Sequence, residues 1–113
     1  MFSKLFGDKG IEQISASKLN AKLKNVSKPV LLDVREASEL VSNIGKIDGI
    51  VHIPVGSLVG RISELEKYKD EEIVIICLSG HRSMTAAKLL KKERFEKVAV
   101  LTGGMQAWRR EGY

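Results

Sequence analysis

The sequence predicts an α/β protein in three layers, a parallel sheet flanked by helices on both faces. Two observations lead there. Short runs of consecutive apolar, largely β-branched residues recur along the chain, and stretches with helical spacing separate them. A strand that is apolar throughout, rather than at alternate positions, is buried on both faces, which is the situation of a parallel sheet covered by helices. The 113 residues fit one domain, 1–113, because two would each fall below the usual size. Residues 1–10 form a candidate flexible N-terminal segment.

In chain order, Glu12-Gln-Ile14 is a short first strand. From Ser15 to Lys24, apolar residues at 16, 19 and 23 have helical spacing, and Ser15 is placed to cap the helix. Val30-Leu-Leu32 follows Pro29 as a strand that ends at Asp33. Glu36 to Val41 reads as a short helix, and Gly45 and Gly49 punctuate the link into Val51-His-Ile-Pro54. Leu58, Ile62 and Leu65 share one helical face, which predicts a helix from Ser57 to Tyr68. Ile73-Val-Ile-Ile76 is the most hydrophobic run and so a central strand, with Cys77 directly after it. A helix from Ser83 to Glu93, a strand at Val98–Leu101 and a last helix from Met105 to Arg110 complete the pattern. Gly103-Gly104 is expected to permit close packing before that helix, with Trp108 in the core. There is no internal repeat or low-complexity segment.

The composition, 43% hydrophobic and 29% charged, is that of a globular protein. No apolar run approaches the roughly 18 residues of a membrane span. The start of the chain has neither the apolar stretch nor the cleavage site of a signal peptide, so the cytoplasm is the expected compartment. The net charge of +5 sits at the two ends, with six Lys against two acids in residues 1–30 and seven Lys or Arg against three acids in residues 88–113. The middle of the chain is acidic. No stacking aromatics interleave with the bases, so these are read as solvated helix faces rather than a nucleic-acid surface. A general positive field would also favour an anionic substrate.

One cysteine excludes an internal disulfide and a two-cysteine relay. A lone cysteine is most often a small buried hydrophobe. Here, however, Cys77 sits at the carboxyl end of a central parallel strand, where ligand sites gather. The loop Cys77-Leu-Ser-Gly-His-Arg82 contains a glycine able to take unusual backbone angles and leads into a helix. Such a loop would aim backbone amides, the positive end of the helix dipole and the charge of Arg82 at the sulfur. Each favours a thiolate, which is the nucleophilic form.

Four stretches in this order and spacing resemble the rhodanese family: Leu32-Asp-Val-Arg-Glu36, Gly45 to Pro54 with its Gly-x-Ile-x-Gly-x-x-x-Ile-Pro pattern, Ile76-Cys-Leu-Ser-Gly-His-Arg-Ser83, and Leu101-x-Gly-Gly-Met-x-Ala-Trp108. The resemblance implies a five-stranded parallel sheet and a sulfurtransferase without cofactor or metal. Cys77 would take sulfane sulfur from a small anionic donor such as thiosulfate and pass it, as a persulfide, to a thiol or cyanide-like acceptor. Leu78, Ser79, Gly80, His81 and Arg82 would form the substrate cradle, supported by Asp33, Arg35 and Ser83. Asp33 and Arg35 match an Asp-x-Arg pair at a neighbouring strand end, and a structural ion-pair network holding the loop is the reading given to Asp33.

Some positions depart from the family pattern. Leu78 stands where many relatives carry a base that meets an anionic donor. Lys46 stands where relatives often have His and is read as solvated. His81 is a loop residue able to gain charge below neutral pH, and His52 is assigned to packing. Partners are a small donor and acceptor or a sulfur-relay protein, with neither nucleic acid nor membrane, and a monomer or weak dimer is expected. An alternative is a protein-interaction or protein-to-protein sulfur-carrier module. A phosphatase or arsenate reductase is the other rival, but phosphatases of this fold place five residues between Cys and Arg, and this loop has four.

Overall fold

Four consecutive β-branched or apolar residues, Ile73-Val-Ile-Ile76, form the middle strand of the sheet, and all four are buried. The computed structural model describes residues 10–113; the rest of the segment expected to be flexible lies outside it. The strands are β1 (Glu12–Ile14), β2 (Val30–Asp33), β3 (Val51–His52), β4 (Ile73–Ile76) and β5 (Val98–Leu101). They form one five-stranded sheet in the order β1-β5-β4-β2-β3, and every pairing is parallel. The helices are α1 (Ala16–Lys22), α2 (Ala37–Leu40), α3 (Leu58–Arg61), α4 (His81–Lys92) and α5 (Gly104–Arg110).

The period-two alternation of the strands divides the core in two. Leu32, Ile73, Ile75, Val98 and Val100 point to one face and pack with Leu58 and Leu65 and with Ala86, Ala87 and Leu90 of α4. Leu31, Val74, Ile76, Ala99 and Leu101 point to the other and pack with Ala16 and Leu19 of α1 and Met105 and Trp108 of α5. The three layers expected from sequence are therefore present, and Trp108 is in the core. Ser15 caps α1 by accepting the Lys18 amide at 3.2 Å.

The helix expected over 57–68 is broken. Val55–Ser57 is 3₁₀, α3 holds one α-helical turn, and Ile62–Tyr68 winds again as 3₁₀. Gly56 and Gly60 with Val55 and Val59 are poor helix formers, so this segment follows its buried anchors Leu58 and Leu65 rather than its own propensity. The helix after Cys77 starts at His81, two residues before the expected Ser83.

This topology positions the site. The chain leaves β4 toward α4 on one face, and it leaves β5 toward α5 on the opposite face. Adjacent strands whose connections diverge in this way leave a crevice at their carboxyl ends. Cys77 lies there.

Candidate active site

Cys77 directly follows β4, and the chain turns so tightly that Gly80 already caps α4. Gly80 has φ +119°, a left-handed conformation that side chains rarely adopt, and this explains the glycine. No side chain of the capping residue closes the helix. The Cys77 sulfur takes that place: Sγ accepts the Gly80 amide at 3.0 Å and the amide of Ser83, the third helical residue, at 3.4 Å. These are amides that a helix leaves unpaired at its start. The sulfur thus sits at the positive end of a 12-residue helix, where negative charge is stabilised. It is almost fully enclosed, at 1% exposure.

The second wall of the crevice is α5. Its Met105 amide donates to the Cys77 carbonyl at 2.8 Å and its Gln106 amide to the Leu78 carbonyl at 3.0 Å. These bonds fix the two peptides on either side of Leu78. Ser83 is wholly buried, and its hydroxyl has no hydrogen-bond partner among the described residues. One polar group on the residue whose amide faces Sγ is therefore left available.

The charge of Arg82, expected from sequence to act on the sulfur, does not stand alone. It makes a bidentate pair with Glu39 of α2, at 2.7 and 2.9 Å. Its hydrogen bonds to Glu39 raise its pKa against the opposing effect of partial burial, and the charges of Glu39, Cys77 and Glu36 act in the same upward direction. Glu39 in turn is brought from 4.5 to about 2, first by the Arg82 hydrogen bonds, against partial desolvation, and then by the Glu36 amide and the charges of Arg82 and Arg35. A carboxyl depressed on folding contributes stability that is complete above its unfolded value of 4.5 and is lost as pH falls toward 2. The pair is consequently charged on both sides at neutral pH. Sequence reasoning missed Glu39. The available signal was its position three residues after Glu36 at a helix start, where it accepts the Glu36 amide at 2.8 Å.

Asp33 and Arg35 are buried completely. Arg35 Nη2 meets Asp33 Oδ2 at 2.8 Å and Nε meets Oδ1 at 3.0 Å. Arg35 also donates to the carbonyls of Glu39 and Gly45, so the pair anchors the 36–45 segment from below. Its effect on the cysteine loop runs through Glu39 and Arg82. His52 does more than pack: Nε2 lies 2.7 Å from the Arg35 carbonyl oxygen. His81 and Ser79 are close to one another, Nδ1 and Oγ being 3.5 Å apart, on the exposed side of the turn. Lys46 is exposed. Among the described residues no three His, Cys, Asp or Glu side chains converge on a point that could hold a metal ion, and no helix is long and apolar enough to cross a membrane.

A parallel α/β sheet that seats a cysteine sulfur on a helix N-terminus at its carboxyl edge defines a class of cysteine-loop proteins. Comparison with known proteins narrows it. The model of the rhodanese-like domain matches residues 15–111, and the chain belongs to that family. The putative sulfurtransferase YtwF of Bacillus subtilis is 40% identical over 101 residues, which is 89% of this chain and 93% of that protein. The putative sulfur carrier protein YrkF of the same organism is 40% identical over 98 residues, 87% of this chain, and the chain spans about half of its length, 51%. Among solved structures, a rhodanese-related protein from Thermoplasma volcanium superposes with a TM-score of 0.74 at 32% identity, covering 89% of this chain and 93% of that one. The sulfurtransferase and sulfur-carrier names of these relatives support a sulfurtransferase role.

Proposed function

We propose that Cys77 carries sulfane sulfur as a persulfide from a donor such as thiosulfate to a thiol or other nucleophilic acceptor. The observation that carries this reading is the seat of Sγ, held by two amides at the N-terminus of α4. In the first half-reaction the Cys77 thiolate attacks the outer sulfur of the donor. A new S–S bond forms, the donor's S–S bond breaks, and its electron pair leaves on sulfite. In the second half-reaction the acceptor attacks that outer sulfur, and the pair returns to Sγ as thiolate. Sγ bears negative charge as the attacking thiolate before the first step and regains it as the leaving thiolate in the second, and the fixed amides stabilise that charge without reorganising. Leu78 to Arg82 line the approach, and Ser83 contributes its amide to the seat. No cofactor or metal takes part. The reading keeps the protein in a reducing compartment, the cytoplasm, where a lone thiol stays free.

The rival reading, phosphate-ester hydrolysis, needs a cradle for a group with three oxygens. Here the turn contains three residues before α4 begins, and both short amide contacts converge on the cysteine sulfur itself. Assayed side by side, the native protein is expected to transfer sulfur from sulfane donors and to leave aryl phosphates intact. Phosphate turnover exceeding sulfur transfer with every sulfane donor tried would reverse the assignment.

A further inference from the structure

The charge balance at the mouth of the cradle bears on which sulfur donors fit it. Thiosulfate brings two negative charges to a thiolate, and a site suited to it needs unpaired positive charge. Between Cys77 and Arg82 the one permanently charged side chain is Arg82, because the residue after the cysteine is the apolar Leu78. Both terminal nitrogens of Arg82 are engaged by the two oxygens of Glu39, at 2.7 and 2.9 Å. Glu39 is not free to swing away. Its side chain also accepts the Glu36 amide at 2.8 Å, and its backbone carbonyl is tied to the buried Arg35. Glu36 adds a second carboxylate whose charge reaches Arg82.

We propose that Glu39 is a specificity-determining residue which neutralises Arg82 and so sets the cradle for sulfane donors carrying one negative charge or none, such as alkyl persulfides and thiosulfonates, over dianionic thiosulfate. The proposal rests on Cys77 being the sulfur carrier. Glu39 touches neither the sulfur nor the donor; it acts through Arg82. The like charge of Glu39 and Glu36 repels a dianion more strongly than a monoanion, and the amide seat at Sγ serves every donor equally.

Thiosulfate and methanethiosulfonate test this with one chemistry at two charges. In each, Cys77 thiolate attacks the terminal sulfur and one S–S bond breaks; the electron pair leaves on sulfite in the first and on methanesulfinate in the second. Their intrinsic reactivities differ, so the informative quantity is how the ratio of their kcat/KM values changes on substitution. Glu39→Gln retains an oxygen for the Glu36 amide and removes the charge. It is expected to shift the ratio toward thiosulfate by about tenfold, mostly through a lower KM for thiosulfate, and added salt should shrink the shift. Should that variant not fold, Glu39→Asp, too short to hold Arg82 by both oxygens, is expected to shift the ratio in the same direction by a smaller factor. Both proteins are first exposed to inorganic polysulfide and their mass is measured. Failure of every donor to load Cys77 in the native protein would remove the sulfur-carrier reading and the proposal with it. Loading of Cys77 with a donor ratio unchanged by either substitution would overturn the proposal alone.

Discussion

Replacing Gly104 with alanine is expected to destabilise the protein severely and to stop sulfur uptake. Gly104 has φ +58° and opens α5 against the cysteine loop. A Cβ there would collide with the Cys77 carbonyl oxygen and would come within 2.6 Å of the Leu78 carbonyl carbon and oxygen. These are backbone atoms of the turn that seats Sγ, so they cannot yield as a flexible side chain would. The left-handed conformation and the overpacking together cost about 3 kcal/mol or more. Relief by withdrawing α5 would break the Met105 and Gln106 amide bonds to the same two carbonyls. Gly60→Ala is the control. Its Cβ would meet nothing within 4 Å, and it lies in α3, so a neutral or slightly stabilising change is expected there. Urea midpoints and sulfur-loading rates of the two variants give the comparison, and equal behaviour would mean that α5 does not press on the loop.

Arg35→Ala is expected to be the other large loss. It would leave the Asp33 carboxylate buried without its cation, the situation that costs about 3–5 kcal/mol. That is a large share of the roughly 5–15 kcal/mol that stabilises an average domain. The Glu39 and Gly45 carbonyls would lose their donor as well, releasing the segment that positions Arg82. Replacing both partners, Asp33→Leu with Arg35→Met, is expected to recover part of the stability, since no lone charge remains. Recovery stays incomplete because those two carbonyls are still without a donor. Denaturant unfolding of the three variants measures the order. A single substitution no worse than the double one would show that the pair does not hold the segment.

The sheet was legible because its evidence is local. Runs such as Ile73–Ile76 and Val98–Leu101, separated by helical stretches, fit a parallel sheet covered on both faces, and Cys77 is read directly from the end of one of them. The start of α4 was misjudged because the residue that caps it is a glycine, and its usual capping side chain is replaced by a cysteine three positions earlier. Helical spacing of Leu58, Ile62 and Leu65 records which residues face the core, and a 3₁₀ winding serves nearly the same positions. Two features of the site depend on distant partners and leave no periodic trace. Glu39 reaches Arg82 across 43 positions, and Gly104 approaches the turn at Cys77 from another helix. The sequence contains each residue of these pairs, but only the folded topology brings them together.

Whether Cys77 carries the sulfur is decided most directly by intact-mass spectrometry of the native protein and the Cys77→Ser variant after exposure to thiosulfate, methanethiosulfonate and polysulfide. The account predicts that the native protein gains about 32 Da, one sulfur atom, from at least one donor, that a thiol acceptor removes it, and that the serine variant gains nothing. A native protein that never gains the mass, or a serine variant that gains it equally, would contradict the account.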